Sequence, residues 1–167
     1  MTIIVKTPIA CSQKELGDFC RLAQKGGEVQ AEWLSELILQ ARMLAFLRID
    51  GECVGVAGLK KPRPNYRCSV FANAKSKRAP EEFCYELGWV YIEPKHRGQR
   101  HSLPLVKNVL THAADGKVYA TSRKTQIPMH RSLAKCGFTR EGDRWQSSRR
   151  NEEDLFLFIR EAGNTAK

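Results

Sequence analysis

The stretch of this sequence with the most evident chemistry is YIEPKHRGQRHSLPLV. Proline lacks an amide hydrogen and is tolerated in the first turn of a helix, so Pro104 predicts a helix that begins near Ser102. The N-terminus of that helix would offer unsatisfied N–H groups and the positive end of the helix dipole, and Arg97 and Arg100 would add formal charge. Gly98 lets the backbone approach a ligand closely. The stretch therefore indicates a phosphate-binding site, with an ordinary basic connection between a strand and a helix as the alternative.

A second chemical signal is a carboxylate inside an apolar run. The run FCYELGWVYI, which Pro94 ends, is typical of a strand that is covered on both faces and central in its sheet. Glu86 lies inside it, flanked by Tyr85, Leu87 and Trp89. Desolvation there favours the neutral form of a carboxyl group, which suits a general base working near neutral pH. The alternative is an ion pair with one of the many basic side chains, which would only fix a loop.

The elements that must position these two signals alternate in type. TIIVKTPI predicts a strand, and Ser12 followed by Glu15 predicts a capping box at the start of a helix that runs through Leu22. AEWLSELILQARM has the periodicity of a helix, and the Asp50–Gly51 pair predicts a hairpin. We expect the three tryptophans to lie in the core: Trp33, Trp89 and Trp145.

The second half of the chain continues the alternation. LPLVKNVLTHA predicts a helix, KVYATS a short strand, and IPMHRSLAKCGF a helix that Gly137 stops. EDLFLFIR predicts a strand that lies at an edge of the sheet or joins it as a late partner. We expect a single globular domain over residues 1–162 and a flexible tail over 163–167.

Composition bounds the setting of the protein. The chain has 167 residues and a formal net charge of +10, which favours phosphate-bearing partners. Charge is concentrated in a basic segment, Lys60 to Arg78, which is expected to be a solvated loop or, as the sharper alternative, a lip for a polyanionic substrate such as nucleic acid. Nothing approaches the length of a membrane span, and the six cysteines lack metal-ligand spacing. We expect a cytoplasmic protein with reduced thiols, no metal site and no membrane partner.

Together these features resemble a known family. A strand, the pattern V-x-x-P-x-x-R-G-x-G-x-G/A, a helix, a short strand and a helix ending in K-x-G-F are typical of the GNAT superfamily of acyl-CoA-dependent N-acyltransferases. The matching segments are VYIEPKHRGQRHS and QIPMHRSLAKCGF, and the preceding order of strand, two helices and hairpin agrees. The resemblance implies an α/β (α+β) GNAT fold, a mixed central β-sheet flanked by helices, over nearly the whole chain.

The resemblance also implies the site residues. In the family, the arginine-glycine loop binds the pyrophosphate of coenzyme A, and the end of the central strand pairs with the pantetheine arm; a residue at the start of the later helix contacts the cofactor. The positions that correspond here are Val90, Tyr91 and Ile92 on the strand, Arg97, Gly98, Gln99, Arg100, His101 and Ser102 in the loop, and Gln126 at the later helix.

Two positions depart from the family pattern. Arg100 stands where the family has a glycine, so this residue must adopt the glycine-like conformation or the loop must shift, and its guanidinium could pair with phosphate. Leu133 stands where many members have the tyrosine that protonates the leaving thiolate, which leaves Ser132, His130, Tyr91 or a water as substitutes.

The function implied is transfer of an acetyl group from acetyl-CoA to a primary amine by direct attack, with Glu86 as the candidate general base. The acceptor could be a small molecule, a protein amino group or an aminoacyl-tRNA, and the protein a monomer or homodimer. The alternative is a GNAT-fold module with weak or no catalysis that binds nucleic acid or senses acyl-CoA.

Overall fold

Residues 1–27, 31–147 and 153–163 are described from a computed structural model of the chain. They form two compact units, of which the first comprises Met1–Lys61 and Leu87–His112 and the second Pro62–Glu86 and Ala113–Lys167. Of the tail expected at 163–167, positions 164–167 lie outside the described residues. In chain order the elements are β1 (Thr2–Lys6), α1 (Gln13–Lys25), α2 (Ala31–Leu39), β2 (Met43–Ile49), β3 (Glu52–Lys60), α3 (Pro64–Asn73), β4 (Tyr85–Ile92), α4 (Ser102–Leu110), β5 (Val118–Arg123), α5 (Ile127–Lys135), β6 (Thr139–Gln146) and β7 (Asp154–Arg160).

The strands form a mixed seven-stranded sheet with the order β1-β2-β3-β4-β5-β7-β6. Strands β1, β2 and β3 are antiparallel, β4 runs parallel to β5, and β7 is antiparallel to both β5 and β6. β4 contributes to both units, because Tyr85 and Glu86 belong to the second and Leu87–Ile92 to the first. A mixed α/β fold with helices against the sheet is therefore confirmed.

The first unit forms where local signals predicted its elements. The Ser12 side chain accepts the amide hydrogen of Glu15, and the Glu15 carboxylate accepts that of Ser12, so the predicted capping box begins α1. Asp50 and Gly51 both have positive φ, at 50° and 82°, and make the predicted hairpin between β2 and β3.

The core of the first unit lies between its two N-terminal helices and the sheet. Phe19 and Leu22 of α1 and Leu34 and Ile38 of α2 are buried with residues of β2, β3 and β4, including Trp89. Trp33, predicted to be buried, is 54% exposed. Its neighbour Leu34 occupies the inward stripe, and the next residue of a helix points about 100° away from it.

The core of the second unit lies beneath α3. Val70 and Phe71 of α3 pack with Phe83, with Tyr119 of β5 and with Leu157 of β7. Trp145 is partly buried against this cluster. Residues 64–73, expected to be part of a basic loop, therefore form a helix, because their apolar side chains cover the sheet.

Two element boundaries also differ from the sequence-based expectation. The helix predicted over residues 31–43 ends at Leu39, and Met43 begins β2. β7 was predicted as an edge strand or a late partner, and it is not at an edge, because it pairs with β5 on one side and β6 on the other. The edge is β6, whose charged sequence TREGDRWQ gave no apolar alternation.

No helix in the described part of the chain is long and apolar enough to cross a membrane. Within the same residues, no group of three or more histidine, cysteine, aspartate or glutamate side chains is placed to hold a metal ion.

Candidate active site

The basic loop between β4 and α4 lies in the first unit. The amide of Glu93 donates to the carbonyl of Val54 at 2.9 Å, which anchors the end of β4 to β3. A single 3-10 turn follows over Pro94–His96, and α4 begins at Ser102 as predicted. The loop thus spans a short distance between a fixed strand end and a helix N-terminus.

Two residues of this loop have left-handed backbone conformations. Gly98 has φ of 78° and Arg100 has φ of 60°. Arg100 therefore adopts the conformation that a glycine would take, at a cost of about 1–2 kcal/mol for an L-residue. A Cβ built on Gly98 would have no neighbour within 4 Å, so the backbone there faces open space. The loop directs exposed backbone at the solvent immediately before a helix N-terminus, which is the arrangement that binds anions.

The side chain of Arg97 is held by residues at the end of β4. Its Nε donates to the carbonyl of Ile92 at 2.8 Å, and its guanidinium carbon lies 5.2 Å from the centre of the Tyr91 ring. Further along the loop, His101 Nε2 and Gln99 Oε1 are 3.0 Å apart. The contacts with Ile92 and Tyr91 hold the Arg97 side chain against the end of β4.

The backbone of β4 has two edges that alternate residue by residue. Since Glu93 donates to β3, the groups of Ile92 and Val90 point to the edge of β4 opposite β3. The Ile92 carbonyl is taken by Arg97, and Val90 lies two residues before it on the same edge. These are the strand residues predicted to contact the pantetheine arm.

Glu93, the residue that follows β4, is engaged in ion pairs. Its carboxylate accepts hydrogen bonds from Lys25 at 2.8 Å and from Arg21 at 3.4 Å, and its side chain is 17% exposed. The hydrogen bond from Lys25 holds the pKa of Glu93 below its usual value. Helix α1 is therefore tied by an ion pair to the first residue of the loop.

Trp89 has an unusual conformation within β4. It is 2% exposed, as predicted, but its φ of 54° is left-handed, so the strand is irregular at this residue. Its indole Nε1 is buried and has no hydrogen-bond partner among the described residues. Lys60 Nζ lies 5.2 Å from its ring, and a Cβ on Gly58 would be 2.4 Å from the ring carbon Cε3. Glycine at position 58 is thus what lets this indole pack against β3.

Glu86 lies in the second unit, where β4 begins. It is 3% exposed, and two tyrosine hydroxyls donate to it at 3.4 Å, Tyr66 to Oε1 and Tyr119 to Oε2. Burial raises the pKa of Tyr119 well above its ordinary value, and the nearby Glu86 carboxylate raises it further by a smaller amount. Both distances exceed the 2.7–2.8 Å typical of a strong O–H···O bond, and catalytic hydrogen bonds are often long before substrate binds.

The two tyrosines that contact Glu86 were not among the predicted site residues. Tyr119 is opposite Glu86 in the parallel register of β4 and β5, so alignment of these two strands is a signal that points to it. Tyr66 lies within the basic segment. It reaches Glu86 because α3 packs over the sheet, and its own sequence neighbourhood carries no signal of that contact.

Helix α3, which carries Tyr66, is fixed at its C-terminal end to β6. The Ala74 carbonyl accepts the amide hydrogen of Asp143 at 2.7 Å, and Ser76 donates to Glu141 at 2.9 Å. Gly142 has φ of 68°, and a Cβ there would be 2.1 Å from the Ala74 oxygen. The bend in β6 at this glycine accommodates the helix end.

Helix α5 supplies the remaining predicted site residue and the candidate acids. Gln126 is exposed at the N-cap position of α5, and its backbone N–H donates to the carbonyl of Arg123 at 3.0 Å. Leu133 is fully buried. Ser132 donates to the Pro128 carbonyl at 3.2 Å, and His130 Nε2 lies 3.0 Å from the Arg123 carbonyl. The polar atoms of Ser132 and His130 are thus used within the fold.

Contacts within the second unit engage three basic side chains of the segment Lys60 to Arg78. Arg67 donates to the Phe83 carbonyl at 3.1 Å, Lys75 lies 3.6 Å from Asp143, and Arg78 pairs with Glu161. The two carboxylates lower the net charge that Lys75 and Arg78 present to a polyanion, whereas Arg67 keeps its charge because a carbonyl is neutral.

Most of the chain matches one known protein family. The family profile described as "Acetyltransferase (GNAT) family" matches residues 14–138. A search of curated protein sequences gives no match.

Solved structures share the fold at low sequence identity. An acyl-CoA N-acyltransferase from Pseudomonas aeruginosa superposes with a TM-score of 0.68 at 16% identity, over 95% of this chain and 98% of the other. ElaA of Escherichia coli gives 0.70 at 14% identity, over 96% and 100%. The protein yncA of Salmonella typhimurium, whose structure holds its cofactor acetyl-CoA, gives 0.67 at 12% identity, over 100% and 98%. At these identities the likeness concerns the fold.

Proposed function

The chain belongs to the acetyltransferase (GNAT) family, and from that premise we propose that it transfers an acetyl group from acetyl-CoA to a primary amine by direct attack. The observation that carries this proposal is the loop before α4. Gly98 and Arg100 are both left-handed there, so Arg100 keeps the conformation of the glycine that the family pattern expects. This conformation supports the proposal that the loop binds an anion despite the departure in sequence.

The residues present fit the diphosphate of coenzyme A. The open space above Gly98 admits a ligand to the backbone, and the loop residues proposed to hold the diphosphate are Arg97, Gly98, Gln99, Arg100, His101 and Ser102. On β4, the groups of Val90 and Ile92 lie on the edge opposite β3, where an extended pantetheine arm could add as a strand. Tyr91 supports this arrangement by stacking on Arg97. Gln126, which is exposed, is proposed as a further contact to coenzyme A through its side-chain amide.

Glu86 is proposed as the general base. An ammonium group must lose a proton before its nitrogen can attack a thioester carbonyl, and a carboxylate that is 3% exposed can accept that proton without competition from bulk water. The hydroxyls of Tyr66 and Tyr119 fix the two carboxylate oxygens. The leaving thiol is acidic compared with an alcohol, so turnover does not require a dedicated acid in place of the buried Leu133.

Binding of the donor is tested by thermal unfolding. Acetyl-CoA at about 100 times its Kd should raise the melting temperature by about 5–10 °C. Arg97→Ala should reduce that rise, and Lys95→Ala, which removes an exposed charge two residues earlier, is the matched control. No rise with any acyl-CoA would refute the transferase proposal.

Catalysis by Glu86 is tested by substitution. Glu86→Gln should lower kcat by about 10²–10⁴-fold and remove the acidic limb of the pH–rate profile, because an amide cannot accept the proton. Glu81→Gln makes the same change in charge at an exposed site and should leave the profile as it is. A Glu86→Gln enzyme with the profile of the wild type would disprove the assignment.

Nucleic-acid binding is less well supported as a function of this chain. The ion pairs of Lys75 with Asp143 and of Arg78 with Glu161 reduce the net charge that the basic segment could offer. Binding of tRNA that falls steeply with salt, together with no response to acetyl-CoA, would reverse this preference.

A further inference from the structure

Acetyl transfer to an ammonium group releases a proton. The reactants are R–NH3⁺ and the thioester, and the products are the neutral amide and the neutral thiol, so one proton leaves per turnover. If Glu86 takes that proton from the acceptor, Glu86 must pass it on before the next cycle. Glu86 as a residue is 3% exposed, so bulk water has little direct access to it.

Two hydroxyls contact Glu86, and they differ in their access to solvent. Tyr119 of β5 is fully buried, and its ring packs on Phe71 of α3. Tyr66 is 38% exposed on α3. Each lies 3.4 Å from one carboxylate oxygen, so the two tyrosines are equivalent in distance and opposite in exposure.

We propose that Tyr66 positions Glu86 and carries its proton to solvent. This inference rests on the proposed function. Protonated Glu86 donates its proton to the Tyr66 hydroxyl oxygen while the hydroxyl gives its own proton to a water molecule. The carboxylate is regenerated, the tyrosine is neutral before and after, and the proton leaves as hydronium or on buffer.

The tertiary contacts of α3 hold the hydroxyl in place for this transfer. The helix is fixed to β6 through the Asp143 amide and the Ala74 carbonyl, and Arg67 donates to the Phe83 carbonyl two residues before β4 begins. Tyr66 precedes Arg67 directly, so the same anchors that dock the helix set the distance to Glu86.

Tyr119 cannot substitute as the exit. Its ring is enclosed by the second unit's core, and burial together with the adjacent carboxylate raises its pKa well above the ordinary value. A proton given to its oxygen would have to return to Glu86. Tyr119 therefore provides a matched control that shares the contact and lacks the route.

The test compares Tyr66→Phe with Tyr119→Phe. Thiol release from acetyl-CoA is first measured with four acceptor amines: glycinamide, tyramine, lysinamide and glutamate. The acceptor that reacts fastest is then used to measure kcat, its pH profile and its solvent deuterium isotope effect. Both variants lose one donor to Glu86, but we expect Tyr66→Phe to lose about tenfold or more in kcat with an increased isotope effect. Tyr119→Phe should lose about threefold or less, and KM for acetyl-CoA should change in neither. Melting temperatures verify that both variants are folded.

The outcomes separate this inference from the proposed function. A wild-type protein that releases no thiol with any of the four amines and gains no thermal stability from acetyl-CoA would refute the function and the relay with it. An active wild type with equal losses in the two variants would overturn the relay alone. An unequal loss without any change in isotope effect would likewise overturn it, because the hydroxyl would then act only as a hydrogen-bond donor.

Discussion

Substitutions of Arg100 allow the backbone conformation and the charge of the basic loop between β4 and α4 to be tested separately. Its φ of 60° is left-handed, and its side chain is exposed. Arg100→Gly removes both the conformational cost and the guanidinium. Arg100→Ala removes the guanidinium and leaves a Cβ in the same left-handed conformation.

The magnitudes follow from these two contributions. A left-handed conformation destabilises an L-residue by about 1–2 kcal/mol. Glycine avoids this cost but loses more conformational entropy on folding, which destabilises the fold by about 0.5–1 kcal/mol. Arg100→Gly should therefore stabilise the fold by about 0.5–1 kcal/mol, or about 1–4 °C, and Arg100→Ala by almost nothing. Loss of one charge about 4 Å from a phosphate in water removes about 1 kcal/mol of attraction, which is about fivefold in Kd.

Calorimetric titration with coenzyme A and thermal unfolding of the free protein measure the two effects. Both variants should bind about fivefold more weakly, and the loss should shrink as salt is raised. Only the glycine variant should melt at a higher temperature. An equal rise in melting temperature for the alanine variant would refute the backbone argument, and unchanged affinity in both would refute a role for the guanidinium at the diphosphate.

The remaining predictions concern the contacts that support the site. Gly142→Ala should destabilise by about 3 kcal/mol, or about 6–12 °C, because its Cβ would lie 2.1 Å from the Ala74 oxygen at a positive φ. Gly51→Ala, with positive φ and no neighbour within 4 Å, should cost only about 1–2 kcal/mol, and equal losses would contradict the steric argument. The pKa of Glu93 is lowered in the folded protein by Lys25, so its ion pair stabilises the fold above the unfolded value of about 4.3 and stops doing so as pH falls through the folded value. Urea unfolding should show Glu93→Gln less stable than wild type by about 0.5–1 kcal/mol at pH 7, with the difference closing below about pH 4; a constant difference would exclude the charge as its cause.

Local signals in the sequence were sufficient for several elements of this fold. The capping box at Ser12, the hairpin at Asp50–Gly51 and the start of α4 at Ser102 were all predicted, because each depends on residues within about four positions of one another. The loop pattern around Arg97 and Gly98 likewise lies within one short stretch. These features identified the family and predicted that the loop binds phosphate.

Other expectations failed where distant residues decide the outcome. The basic segment was expected to be a loop, and α3 forms there because Val70 and Phe71 cover the sheet of the second unit. β7 was expected at an edge or as a late partner, and the polar strand β6 adds beyond it. The partner of Glu93 is likewise distant, because Lys25, which pairs with it, lies 68 residues away in the sequence.

The sequence by itself determined the family, the start of a helix directly after a basic glycine-containing loop, and the choice of Glu86 as the carboxylate to consider. Only the tertiary structure decided that Arg100 is left-handed and that Glu86 meets Tyr66 and Tyr119, which lie 20 and 33 residues away. The physical reason is that periodicity and capping act between near neighbours, whereas packing of a helix on a sheet brings together side chains whose positions in the sequence share no pattern.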